Sequence, residues 1–301
     1  MCGAGAPARE KFRRQEILNK TATTTEPEKE RGEIRSSAES EATAWSSALP
    51  QGHKKRHGWP SRLRSYFILA PLIWVYTVVL GTVSLICSLI DRDGRIQHKF
   101  ARLWSKLVMK TILSPVKVTG ATSFDNSKPK VYAVTHASAL DIPILYVYLP
   151  FQFRIVFKSE LLAYPFVGWH LKRSGQVCIN QQNPAASIGA VKSALRSLRK
   201  GMPLVIFPEG GRTPNGQLQP FLPGAFFLAI KAQADIVPIA LVDTFDLLPM
   251  NTYHIKCQPL EMRVGKPIST AGLTVRDTEA VSAKVKSAIE SLRSSRSSES
   301  R

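Results

Sequence analysis

The chain has 301 residues, 44% of them hydrophobic and 21% charged, which excludes a peptide too short to bury a core and leaves room for one or two domains with appendages. Lys and Arg total 41 against 22 Asp and Glu, a net charge of +19 that calls for a polyanionic partner: nucleic acid, an anionic membrane, or an acidic carrier or ligand. The cysteines at 2, 87, 178 and 257 are too far apart for a C-x-x-C metal or redox pair, so they read as reduced thiols.

Residues 1–58 read as a disordered polar tail. Thr21 to Thr25 and the Glu/Lys/Arg/Ser mixture up to Glu41 have almost no apolar periodicity, and the polar start lacks the apolar core of a signal peptide. Residues 59–113 read as a helical membrane-anchoring region. Its centre is Tyr66 to Ile90, a run without a charged residue. As a helix it would reach about 37 Å, against a hydrocarbon core of about 30 Å. A soluble core helix that is apolar all round would need a large protein. Lys54, Lys55, Arg56, Arg62 and Arg64 precede the run; Arg92, Arg95, Lys99, Arg102, Lys106 and Lys110 follow it. Both flanks are basic, so charge asymmetry gives no orientation. Pro71 and Gly81 could divide the run into a re-entrant hairpin, and a simple span fits equally. Residues 96–113 are amphipathic, with Phe100, Leu103, Trp104, Leu107 and Val108 at helical spacing. Such a helix suits a membrane interface or the surface of the following domain.

From 114 to 293 strands alternate with helices, as in an α/β domain with a sheet flanked by helices. The expected strands are Val131 to Thr135, Phe153 to Phe157, Gln176 to Ile179, Leu204 to Phe207 and Ile236 to Val242. A helix is expected over 184–199, capped by Asn183, opened by Pro184 and stopped by Gly201. The last helix covers 277–293, and 294–301 is a Ser/Arg-rich disordered tail.

Three segments carry chemistry. In Thr135-His-Ala-Ser-Ala-Leu-Asp141, a helix would hold His136 and Asp141 about 140° apart. With His136 in the loop and Asp141 in the first turn of the next helix, the two fold together. The carboxylate then fixes the tautomer, leaving the other nitrogen to take a proton from a hydroxyl. Leu204 to Pro214 ends a buried strand in Glu209, two glycines and Arg212, and Arg presents a planar fork to phosphate. In Val237-Pro-Ile, Pro238 implies a sheet edge, a strand end or a bulge. Dinucleotide, Walker A, nucleophile-elbow and zinc motifs are absent, as are nucleic-acid-binding motifs and an aromatic stacking platform.

In combination, over residues 66–270, these segments resemble the lysophosphatidic acid acyltransferase family of glycerolipid acyltransferases. His136 and Asp141 match its H-x-x-x-x-D block. Phe207-Pro-Glu-Gly-Gly-Arg-Thr213 matches its F-P-E-G-T-R-S block, and Val237-Pro-Ile its V-P-V/I block. Lys158-Ser-Glu-Leu161, with Pro165, Gly168 and Trp169, matches the segment after the first block. The resemblance implies a mixed sheet flanked by helices, with an N-terminal helical membrane anchor. His136 is the implied general base on a lysolipid hydroxyl, and Asp141 orients it. Glu209, Gly210 and Arg212 are expected at the acceptor headgroup, with Lys158 as an anion contact. Acyl-CoA or acyl carrier protein would be the donor, with no metal or tight cofactor. The partners implied are a lysophospholipid acceptor and an anionic membrane, with no nucleic acid. The active site would face the cytoplasmic leaflet of the inner membrane. The chain departs from the family's F-I-D-R block at Cys178-Ile-Asn-Gln181, where Asn180 replaces Asp and Gln181 replaces Arg. Another acceptor, such as lyso-ornithine lipid, is therefore the rival within the class, and a catalytically inactive lipid-binding protein the rival outside it.

Overall fold

The structure, a computed structural model, describes residues 59–295 apart from 92, 125–127, 129, 181, 182, 250 and 251. The expected tail at 1–58, Gln181, and 296–301 of the expected C-terminal tail therefore lie outside the described residues.

The uncharged run forms part of one unbroken helix, α1 (Trp59–Cys87). Its winding widens to a π-turn over Ser65–Leu69, immediately before Pro71, and the helix continues past both Pro71 and Gly81 without reversing. The re-entrant hairpin is thus not what this sequence forms. At 29 residues α1 is long and apolar enough to cross a membrane, and only 11% of its most apolar window is buried. That exposure is opposite to what a soluble core helix requires. The π-turn is one of the places where α1 touches the domain: the Ser65 hydroxyl donates to the Ile255 carbonyl at 3.0 Å and accepts the Ile255 N–H at 3.1 Å.

Helix α2 (Arg95–Ile112) packs against α1, with the Trp104 indole donating to the Thr77 hydroxyl at 3.0 Å. Of the two readings for this amphipathic segment, domain packing is observed: Val108, Met109 and Ile112 enter the core. The buried face also carries Gln97, His98 and Ser105, while Leu103 is exposed. Thus the buried face is offset from the apolar stripe read in the sequence.

Among the described residues the sheet has seven strands, in the order β1-β7-β6-β2-β5-β3-β4. They are β1 (Val116–Thr119), β2 (Lys130–Val134), β3 (Arg154–Lys158), β4 (Val177–Ile179), β5 (Leu204–Ile206), β6 (Asp235–Val242) and β7 (Leu260–Val264). All neighbouring pairs are parallel except β6 and β7. Strand β2 is buried on both faces. Tyr132 and Val134 join one core with α2 and helix α3 (Asp141–Tyr148). Val131 and Ala133 join the other, with helices α4 (Ile188–Arg199), α5 (Phe227–Ala232) and α6 (Thr278–Ser294). Burial on both sides explains why β2 is a continuous apolar run in sequence.

Several boundaries differ from expectation. Strands β1 and β7 were not expected. The first is a four-residue edge, and the second carries Glu261 and Arg263, which pair with each other at 2.7 Å. Helix α4 begins at Ile188 after a 3-10 turn at Pro184–Ser187, not at Pro184 under an Asn183 cap. Helix α6 runs through Ser294, which removes that residue from the expected tail. Pro238 lies inside the sheet, between β2 and β7, and not at an edge. The β7 ladder reaches only Ile239, opposite Val264. The Pro238 carbonyl, facing that same side, accepts the Gly265 N–H beyond the strand at 2.9 Å. The missing proline N–H therefore falls in a gap of the ladder.

Buried His98 and half-buried His170 make stability depend on pH. Burial, reinforced by Arg102, Arg154 and His170, lowers the pKa of His98 from 6.5 to about 4. Burial alone lowers His170 from 6.5 to about 4. A depressed histidine pKa means that the unfolded chain binds the extra proton first as pH falls. Stability is thus full above about pH 6.5 and declines towards pH 4, at roughly 1.4 kcal/mol per pH unit for each histidine. Thermal midpoints in detergent from pH 7 to 4.5 should fall accordingly, and His98→Leu should remove about half of that slope. A midpoint slope unchanged by the substitution would contradict the assignment.

Candidate active site

Because β2, β3 and β5 are parallel, their C-terminal ends share one edge of the sheet. Residues that follow these strands are brought together there. His136 comes two residues after β2, in a loop, and Asp141 is the first residue of α3. Thr135 fastens the loop to the end of β6, its hydroxyl accepting the Leu241 N–H at 2.9 Å. The chain then turns so that Asp141 Oδ2 meets His136 Nδ1 at 2.8 Å. The same oxygen accepts the N–H groups of Ala137 and Ser138, each at 2.8 Å. Asp141 is fully buried, and its Oδ1 has no hydrogen-bond partner among the described residues. A carboxylate at the first position of a helix is also favoured by the helix dipole.

The arrangement assigns the histidine tautomer. Asp141 is an acceptor, so Nδ1 carries the proton and Nε2 holds the free lone pair. The imidazole stacks on Phe207 at a centroid distance of 4.2 Å, which restricts its rotation. The backbone is held too: His136 N–H donates to Glu209 Oε1 at 2.8 Å, and Thr213 N–H donates to the His136 carbonyl at 2.9 Å.

Glu209 was expected at the acceptor headgroup. Each of its carboxylate oxygens accepts a backbone N–H, Oε1 from His136 and Oε2 from Gln219 at 2.9 Å. It thereby braces the His136 loop against the loop after β5, a role not visible in the sequence. Burial raises its pKa, opposed by the hydrogen bonds from Gln219 and His136 and by the charges of His136 and Arg293. The Gly210 N–H closes a turn onto the Phe207 carbonyl at 3.0 Å, and Gly210 itself takes φ +70°, a left-handed conformation that suits glycine. Lys158, at the end of β3, reaches this turn: a Cβ on Gly211 would lie 3.7 Å from its Nζ. Arg212 lies between that turn and Thr213. Among the described residues, Lys158 and Arg212 have no ion-pair partner. The structure thus brings His136, Asp141, Lys158, Glu209, Gly210 and Arg212 to one edge. Gln181, just after β4, lies outside the described residues.

Comparison with known proteins gives the same class. Residues 115–242 match the Acyltransferase family model. These residues form an acyltransferase domain. The chain is 30% identical over 200 residues to 1-acyl-sn-glycerol-3-phosphate acyltransferase LPAT1, chloroplastic, of Arabidopsis thaliana, covering 65% of this chain and 56% of that protein. It is 32% identical over 195 residues to a 1-acyl-sn-glycerol-3-phosphate acyltransferase of Saccharomyces cerevisiae, covering 64% of each. With 1-acyl-sn-glycerol-3-phosphate acyltransferase alpha of Homo sapiens the identity is 31% over 172 residues, 57% of this chain and 61% of that one. The chain therefore spans less than two thirds of the length of these curated relatives. Among solved structures, the 1-acyl-sn-glycerophosphate (LPA) acyltransferase PlsC from Thermotoga maritima superposes with a TM-score of 0.62 at 23% identity. That match covers 79% of this chain and 96% of the other, and establishes the fold of the acyltransferase domain with its flanking elements.

Proposed function

We propose that the chain transfers a fatty acyl group from acyl-CoA or acyl carrier protein to the free hydroxyl of lysophosphatidic acid, giving phosphatidic acid. The observation that carries this reading is the 2.8 Å His136–Asp141 pair, lying at the same sheet edge as two cations without an ion-pair partner among the described residues. His136 Nε2 removes the proton from the acceptor hydroxyl. The oxygen attacks the thioester carbonyl, the carbon–sulfur bond breaks, and the departing thiolate takes the proton back from the imidazolium. Asp141 stabilises that imidazolium and keeps Nε2 turned outward. The thioester supplies the activated acyl group, so this route needs no metal or tight cofactor. Lys158 and Arg212 hold the acceptor phosphate. Helix α1 anchors the chain in an anionic membrane, with the catalytic domain on the cytoplasmic side of the inner membrane; the basic surplus suits that surface.

One observation favours a second acceptor. Gln181 stands where the family pattern has Arg, and a neutral amide supplies no fixed cationic fork. A lysolipid without a phosphate monoester, such as lyso-ornithine lipid, is the alternative. Membranes carrying the protein, incubated with an acyl thioester and several lysolipids, should yield phosphatidic acid as the dominant new product by mass spectrometry. A dominant product from another lysolipid would transfer the assignment to that acceptor, and no acylated product from any would refute the activity.

Arg212→Ala should raise the acceptor KM about tenfold or more and leave the donor KM nearly unchanged, since a charge-assisted hydrogen bond contributes roughly 1.5–3 kcal/mol. Initial rates with each substrate varied in turn test this; an effect confined to the donor would remove Arg212 from the phosphate site.

A further inference from the structure

Between β3 and α4 lies a segment that the catalytic reading does not use. Leu161-Leu-Ala-Tyr-Pro165 are all exposed, followed closely by Val167 and Trp169. Tyr164 is 61% exposed, Trp169 51% and Val167 43%. A contiguous apolar run on the surface is costly in water and marks a surface that something covers.

The segment is held in shape. A short helix at Val167–Arg173 follows it, and Phe166 at the junction takes φ +60°. That conformation is strained for a bulky residue and persists only under constraint. The constraint comes from α1. Gly81 lets Phe166 approach so closely that a Cβ there would lie 3.3 Å from the Phe166 Cβ. Three residues on, the Ser84 hydroxyl lies 3.1 Å from His170 Nδ1, and Arg173 Nε donates to the Ser88 hydroxyl at 3.0 Å. The 161–169 surface is therefore fastened to the helix whose apolar side chains, among them Val83 and Ile86, are themselves exposed. Exposed Lys172 and Arg173 follow directly, as cations suited to anionic headgroups. The segment begins three residues after Lys158, at the edge of the sheet that carries His136.

We propose that residues 161–169 are a second membrane contact, inserted at the boundary between headgroups and acyl chains of an anionic bilayer, so that the Lys158 edge of the sheet sits at headgroup level. The inference rests on the reading of α1 as a membrane anchor. A second copy of the chain would cover the same surface without lipid contact.

The test uses the full chain reconstituted in phosphatidylcholine–phosphatidylglycerol vesicles whose acyl chains are brominated close to the headgroup. The emission lost in Trp169→Phe should come from the fraction that bromine quenches, and less so when the bromines are placed near the chain ends. Loss from the unquenched fraction would overturn the proposal, whether the residue faces water or a second copy. In a separate assay, Leu162→Glu with Tyr164→Glu should raise the apparent KM several-fold for acceptor presented in vesicles. Turnover of a short-chain acceptor dissolved below its micellar concentration should stay unchanged. Equal loss with both acceptors would assign the segment to the catalytic fold and overturn the membrane role. If the wild type acylates no acceptor, the proposed reaction fails, while the quenching result still decides the membrane contact.

Discussion

His136→Ala should lower acyl transfer by about a hundred- to ten-thousand-fold while the protein stays folded and in the membrane fraction. The imidazole is held by a buried carboxylate, and among the described residues only its Nδ1 is hydrogen-bonded, which leaves Nε2 free. Asp141→Asn should lower the rate as well. An amide can donate to Nδ1 and so turn the tautomer over, placing the proton on Nε2, where the base must be. It also disturbs the N–H groups of Ala137 and Ser138, which now converge on one carboxylate oxygen. Turnover with purified protein, a thioester donor and lysophosphatidic acid measures both effects. Near-normal turnover of His136→Ala would end the general-base assignment.

Glu209→Ala should be nearly as damaging, through geometry. It removes the acceptor for two backbone N–H groups, those of His136 and Gln219. An unsatisfied buried donor costs roughly 1–3 kcal/mol; here both donors are part-buried, and the first of them belongs to His136 itself. The expected result is a large fall in kcat with a smaller change in acceptor KM, together with a lower thermal midpoint. Glu209→Gln keeps one acceptor oxygen and should recover part of the midpoint and part of kcat. If Glu209→Ala changed the acceptor KM alone, Glu209 would be a headgroup ligand rather than a brace.

What the sequence disclosed follows from how local each feature is. Strand β2 and helix α3 declare themselves through continuous apolar runs, and His136 and Asp141 are five residues apart, so their meeting needs only one turn of chain. The unbroken course of α1 was less legible. Pro71 and Gly81 are ordinary helix breakers, and neither the π-turn ahead of Pro71 nor the packing of Phe166 on Gly81 has a local signature. Strand β7 was hidden because its charges are cancelled by an internal pair, Glu261 with Arg263, and Arg263 also donates to the Leu292 carbonyl at the end of α6 at 2.7 Å. The resemblance placed Glu209 at the acceptor headgroup, and its bracing of the His136 loop had no signature in the residues around it. Its partners are N–H groups, which every sequence contains and none advertises.

The order of strands has a consequence for how the protein is made. Strand β2, which leads into the His136 loop, pairs with β5 and β6, and β1 pairs with β7. As the chain leaves the ribosome, β1, β2 and β3 therefore emerge with no neighbour among themselves, and β3 gains β4 first. Until residues up to Val242 have been synthesised, β2 lacks at least one of its two flanking strands, and before Ile206 it lacks both. Helix α1 and its exposed apolar side chains appear long before that point. Long-range pairing is slow and leaves apolar strands open to aggregation. Early capture of α1 by a bilayer would keep the nascent chain apart from its copies while its sheet waits for its second half. The proposed acyl transfer would then begin only once β5 and β6 have closed the sheet around β2.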